Sequence, residues 1–156
     1  MKFDKLPRFS NWAAWNERDS LKDLSHPGIY ALAISRKHLS GKAFDWSVEI
    51  AYFGMTNSQA GLKGRLKQFD NVAIGKKGHG GAERFMHNFK NKEELAPHLY
   101  VAVWSFPCDV KASTPTDLVV MGRVAKAEYE CFAKYVELYG KLPKYNDKKN
   151  SPKLKV

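Results

Sequence analysis

The chain has little cysteine, little acid and no long apolar run, and each shortage closes off a class of protein. Cys108 and Cys131 are its two cysteines, far apart and without a CxxC spacing. Neither a zinc site nor a disulfide framework is expected, and both read as reduced core thiols. No stretch approaches the ~20 apolar residues of a membrane span. The basic residues are not gathered on one amphipathic helix, which argues against a membrane surface as partner. The N-terminal residues lack the apolar core of a signal peptide, so a cytoplasmic protein is expected. Acid is the most telling shortage, since 16 Asp and Glu face 26 Lys and Arg for a net charge of +10. A chain this basic commonly meets a polyanion, with nucleic acid the first candidate.

What is present fits one globular core: 156 residues, 44% of them apolar, suffice for a single domain. That domain is expected over 1–147, ahead of a basic tail over 148–156 that is extended or partly mobile. Ser10 reads as the cap of a short N-terminal helix carrying Trp12, Ala13 and Trp15. Pro27-Gly28 breaks the chain. Residues 29–34 then form an apolar run typical of a strand covered on both faces. Residues 35–48 read as a loop, and the next strand, near 49–55, pairs antiparallel with the first because the connection is short. Tyr30 and Tyr52 are then placed to face one side of neighbouring strands, and buried structural tyrosines are the plainer reading of either alone. The third strand is 99–106, closed by Pro107. The expected fold is thus α+β, a small mixed and mainly antiparallel sheet flanked by helices.

The stretch 49–69 reads as a buried strand turning into a basic helix. Gly54 marks a bend or a close approach, and Thr56-Asn57-Ser58 supplies caps. Leu62, Leu66 and Phe69 form the buried stripe, Arg65 lies at its edge and Lys63 and Lys67 further round. Arg65 either packs its stem there and pairs with a carboxylate, or holds a phosphate. Beyond it, Gly75-Lys76-Lys77-Gly78-His79 is a flexible basic loop whose amides can approach a phosphate. A helix over 82–91 turns Phe85 and Phe89 inward and Arg84 outward. Neither His79 nor His87 has metal-ligand spacing; His79, in its glycine-rich setting, is the better candidate for substrate contact.

From 118 to 140, after a loop over 107–117, the helical period is clean, and Glu128 falls at the centre of the apolar stripe while Glu130 points to solvent. An inward carboxylate must be paired, protonated or metal-bound. An ion pair with Arg65 or a lysine is one reading. A Mg²⁺ anchor is the other, since that ion takes one or two carboxylates plus water and phosphate. Residues 141–156 hold six lysines and one aspartate and little that can bury itself. Asn146 is their one candidate for a fixed role, either forming a turn or tying the tail to backbone near a site.

Gly28-Ile29-Tyr30 and Tyr52-Phe53-Gly54 resemble the two signature triplets of the GIY-YIG nucleases, and some restriction endonucleases of that family have a loop similar to the one around His79. Thr56, Leu62 with Arg65, Ala127-Glu128 with Cys131 and Phe132 behind, and Pro143 before Asn146 follow in the family's order, covering residues 28–146. Phe53 replaces the usual isoleucine or valine, Phe69 stands where some relatives have histidine, and the Tyr30–Tyr52 and Glu128–Asn146 intervals are long. The resemblance implies endonucleolytic hydrolysis of DNA dependent on one Mg²⁺ or Mn²⁺. Glu128 would hold the metal, Arg65 would stabilise the transition state and Asn146 would support the architecture. One of Tyr30 and Tyr52 would serve as base, Tyr30 being preferred, while the other positions water or phosphate. Lys63, Lys67, Lys76, Lys77, Arg84, Lys144, Lys148 and Lys149 are expected to add affinity for the backbone. A nucleic-acid-binding module without catalysis would use the same charge, and a repair or RNA-processing nuclease would use the same site. Whether the protein acts as a monomer or a homodimer stays open.

Overall fold

The computed structural model describes residues 1–74 and 80–147. Among these residues four strands form one sheet: β1 (Ala13–Ala14), β2 (Gly28–Ile34), β3 (Ile50–Thr56) and β4 (Leu99–Ser105), in the order β1-β4-β2-β3. Every pairing is antiparallel, so the sheet is not mixed. β2 lies between β3 and β4 and is buried on both faces, as its unbroken apolar run requires.

Helix α1 (Gly61–Ala73) and α2 (Gly80–Met86) cover one face, where Leu62, Leu66, Phe69 and Phe85 pack with Tyr30, Tyr52, Leu32, Val101 and Val103. A short α3 (Lys92–Leu95), capped by the Asn91 side chain, leads through a 3₁₀ turn into β4. Helix α4 (Pro115–Tyr139) covers the other face, with Val124, Ala127, Cys131 and Tyr135 on Ile29, Ala31, Phe53 and Trp104. It begins earlier than its apolar period suggests, because Thr114 and Asp117 form a capping box and Pro115 fits the first turn.

The N-terminal segment is strand rather than helix. Ser10 accepts from Val103 N–H through its hydroxyl at 3.0 Å and donates its own N–H to Val103 O at 2.7 Å, extending the outer edge of β4. Trp12 then falls on the α4 side and Trp15 on the α1 side, as a period of two demands. Trp15 opens a 3₁₀ turn that ends at Ser20. The expected caps of α1 are also displaced. Its first free amides donate to backbone, Leu62 to His26 O at 3.0 Å and Lys63 to Leu24 O at 2.8 Å, while the Thr56 hydroxyl accepts from Ser58 N–H. Gly61, at φ 65°, makes the turn that allows this.

Strand β3 is an edge, and the chain after α4 returns to close it. Tyr145 N–H donates to Ala51 O at 2.9 Å, and the Asn146 amide accepts from Phe53 N–H at 2.8 Å and donates to Phe53 O at 2.9 Å. Residues 141–147 are therefore not a loose tail: Tyr145 is 1% exposed and stacks on Phe85, and its hydroxyl accepts from Asn88. Cys131 is buried, but Cys108 is half-buried in the loop before α4 and not a core thiol. No helix among the described residues is long and apolar enough to cross a membrane.

Gly54 is opposite Tyr30 in the β2–β3 register. A Cβ at that position would sit 2.3 Å from Tyr30 Cζ and 2.4 Å from its hydroxyl oxygen. Gly54→Ala is therefore expected to cost about 1–3 kcal/mol in urea denaturation. Adding Tyr30→Ala should recover at least about 1 kcal/mol relative to the sum of the single changes. Additive costs would show that the space above Gly54 does not belong to Tyr30.

Candidate active site at the edge of strand β3

The sheet register sets Tyr30 and Tyr52 on one face, two positions apart, with ring centroids 6.0 Å apart. Tyr30 crosses over Gly54 toward the edge of the sheet, in the space a side chain would have filled. The two phenols hydrogen bond, and the bond raises the pKa of Tyr30 while lowering that of Tyr52, as follows when Tyr30 donates.

From the same face, α1 brings Arg65. Leu62, Leu66 and Phe69 are buried and fix the helix, leaving Arg65 half-buried at the margin of the stripe. The acid one turn on is already engaged: Asp70 accepts from Trp15 Nε1 at 2.9 Å and pairs with Lys92 at 2.8 Å and Arg18 at 3.4 Å. Arg65 has no carboxylate within 4.0 Å among the described residues.

From the opposite face, α4 brings Glu128 to the same edge. The Asn57 amide donates to Met121 O at 3.0 Å and ties the end of β3 to this helix two turns before Glu128. The carboxylate is half-buried and forms no ion pair within 4.0 Å among the described residues, Arg65 and the described lysines included. Tyr30, Tyr52 and Glu128 nevertheless all feel Arg65, and both tyrosines feel Glu128. Four side chains from β2, β3, α1 and α4 thus converge where the edge of β3 passes between the two helix layers. Asn146, with both amide atoms on Phe53, holds that edge straight beside them.

Burial sets the electrostatics. It pushes the Glu128 carboxyl up to about 7 against the opposing pull of Arg65. Burial also raises Tyr30 well above the usual phenol value, helped by Tyr52 and Glu128. Tyr52 is raised by burial and by the Glu128 charge, while the bond from Tyr30 and, more weakly, the guanidiniums of Arg84 and Arg65 act to lower it. Of the two phenols, Tyr52 is the easier to ionise.

Several expected surface contacts sit elsewhere. Lys63 and Lys67 are exposed along α1, and Lys144 is exposed with its ammonium 5.3 Å from the Tyr145 ring. Arg84 does not point outward: it is 7% exposed and turned toward Tyr52. Helix α2 is amphipathic by sequence, but it lies against α1, its Phe85 stacks on Tyr145, and Ala82, Phe85 and Met86 are buried with Arg84. Glu130 is not a plain surface charge, since it accepts from Asp4 N–H at 2.7 Å and holds the N-terminal arm on α4. His87 is exposed. Lys76, Lys77, His79, Lys148 and Lys149 lie outside the described residues.

No group of three His, Cys, Asp or Glu side chains is assembled among the described residues, so a cation held entirely by the protein does not fit. A single carboxylate beside phenols does fit Mg²⁺, which keeps water and substrate phosphate as its other ligands. A cleft of about 640 Å³ lined by Lys5, Arg8, Trp12 and Asp23 lies at the β1–β4 side of the sheet, away from these residues.

Because the folded pKa of Glu128 is above its ordinary value of 4.5, the folded state holds a proton that the unfolded chain releases. Stability contributed by this group is present below pH 4.5 and lost as pH rises through 7. Glu128→Gln should remove this loss, making the metal-free protein more stable than wild type at pH 8 by about 1–2 kcal/mol, after discounting for its solvent contact. Urea denaturation at pH 5 and pH 8 reads the difference directly. A glutamine variant much less stable at pH 8 would mean that the carboxylate has a structural partner.

Compared with known proteins, the chain matches no family model, no curated protein and no solved structure.

Proposed function

We propose that this protein is a divalent-metal-dependent endonuclease of the GIY-YIG type that hydrolyses phosphodiester bonds in DNA. The observation that carries the reading is Glu128, a half-buried carboxylate with no ion pair among the described residues, beside a hydrogen-bonded tyrosine pair and Arg65. Such a carboxylate costs stability and lowers affinity for a polyanion, so a pure binding module gains nothing from it. A metal-assisted hydrolase requires it.

Glu128 would hold the metal, with its proton displaced. When bound, Mg²⁺ would supply Lewis-acid polarisation of the scissile phosphate and stabilise the leaving 3′ oxygen. Tyr52 accepts the proton of the attacking water. Its oxygen already takes a hydrogen bond from Tyr30, which stabilises the phenolate, and two guanidiniums favour the same charge. Tyr30, buried and donating, is better suited to orienting Tyr52 than to being the base. Arg65 lies within the field of both tyrosines and of Glu128, the place to offset the extra negative charge on the pentacoordinate phosphorus. Water adds to phosphorus, the P–O3′ bond breaks, and the leaving 3′ oxygen takes a proton from solvent, so that the products carry a 5′-phosphate and a 3′-hydroxyl. The exposed Lys63, Lys67 and Lys144, with the chain's net charge of +10, supply backbone affinity.

Purified protein should nick supercoiled plasmid in MgCl₂ and not in EDTA. Tyr52→Phe and Glu128→Gln should each lower the rate at least about a hundredfold with DNA binding retained. Tyr30→Phe should cost less, about tenfold. Cleavage that persists in EDTA or in Glu128→Gln would overturn the metal-dependent reading. Normal cutting by Tyr52→Phe with loss in Tyr30→Phe would move the base to Tyr30.

A further inference from the structure

Among the described residues, Arg84 is the most buried charged side chain, at 7% exposure. Its helix is fixed on both sides of it, because Ala82, Phe85 and Met86 are buried and Phe85 packs on Phe69 at 5.2 Å, Tyr52 at 6.1 Å and Tyr145 at 4.0 Å. A buried guanidinium is costly unless an anion neutralises it. None does so here: Arg84 forms no ion pair among the described residues. Residues 75–79 and 148–156 contain no Asp or Glu at all. Among the described residues, the fold therefore buries this cation with no carboxylate within 4.0 Å of it.

The place where it does so is the candidate site. Arg84 and Arg65 act on the same phenol, that of Tyr52, from α2 and α1. Of the two, Arg65 is the one that acts on Glu128. Phe85, next to Arg84 on α2, packs on the Tyr52 ring at 6.1 Å and on Phe69 of α1 at 5.2 Å, which holds the two helices together beside that phenol. Two planar forks are suited to the non-bridging oxygens of a phosphate. From this arrangement we propose that Arg84, together with Arg65, forms a phosphate-binding site that holds a phosphodiester of the substrate backbone on the Tyr52 side, without a metal.

The substrate identity rests on the nuclease reading, whereas the anion site is a property of the apoprotein. It is tested by NMR titration of the full chain in EDTA with inorganic phosphate and with the dinucleotide TpT. Arg84→Met is compared with Arg84→Lys and with Arg36→Met, which removes an exposed arginine after β2. Wild type should bind TpT, and inorganic phosphate should displace it. Arg84→Met should weaken TpT binding at least about tenfold, Arg84→Lys should restore part of it, and Arg36→Met should change it less than twofold. The melting temperature of Arg84→Met should stay level or rise, because an unneutralised buried charge has been removed.

Wild type that binds neither probe, or Arg84→Met that binds within twofold of wild type, would overturn the site. So would failure of Arg84→Met to fold while Arg84→Lys folds and binds no TpT, since the charge would then be structural. A site that binds phosphate but accepts no TpT would be a free-anion site and would also overturn the proposal. The nuclease reading fails separately: wild type that binds TpT in EDTA yet leaves plasmid intact with Mg²⁺ keeps the anion site and loses the reaction.

Discussion

The contact on which the rest depends is the passage of the Tyr30 ring across the bare backbone of Gly54. A side chain there would collide with the ring at 2.3 Å, so the second glycine triplet is one half of a close approach whose other half is the tyrosine of the first. The packing carries the Tyr30 hydroxyl from the centre of the sheet to its edge, where it meets Tyr52. Both helix layers can reach that edge. Anywhere further inside, the sheet itself would separate Arg65 on α1 from Glu128 on α4.

Charge at this edge is held against its own interest. Burial opposes ionisation of Glu128 and of both tyrosines, yet the nearby guanidiniums stop short of ion pairs with the carboxylate. Asp70 has two cations and an indole N–H, which together outweigh its burial and keep its carboxyl below the usual value. Within one helix, α1, Asp70 is paired with two cations whereas Arg65 has no carboxylate within 4.0 Å among the described residues, a contrast between a structural charge and one suited to a ligand. Arg84 belongs with Arg65 on this criterion, although it is the more deeply buried of the two.

Edge closure explains why the last described residues matter. Strand β3 ends the sheet, and an open edge next to the site would leave its backbone groups to solvent or to another chain. Asn146 uses its amide as a surrogate peptide group toward Phe53, and Tyr145 anchors the segment by stacking on Phe85. Through Phe85 the same anchor supports α2, and so the position of Arg84. One returning segment therefore braces the tyrosine strand and the second arginine together.

Apolar run length and period determined the three long strands, the central place of β2, the buried stripe of α1 and the inward direction of Glu128, because burial by a face is written locally in the order of residues. The directions in which Tyr30, Tyr52, Arg65 and Glu128 face were legible for that reason, whereas their grouping as a candidate site came from the resemblance carried by the two glycine triplets. What depended on pairing partners was not. Ala13 and Ala14 have no strand propensity of their own, and only the outer edge of β4 makes them a strand. The basic segment after α4 carries a single large aromatic, and only the pocket beside Phe85 buries it. Arg84 reads as a surface charge until α2 packs on α1 and its Phe85 stacks on Tyr145. Tertiary structure likewise decided the order of ease of ionisation of the two tyrosines, since that follows from which phenol donates and which faces two guanidiniums. Periodicity states which way a side chain points along its own element, whereas counter-charge and enclosure come from residues tens of positions away.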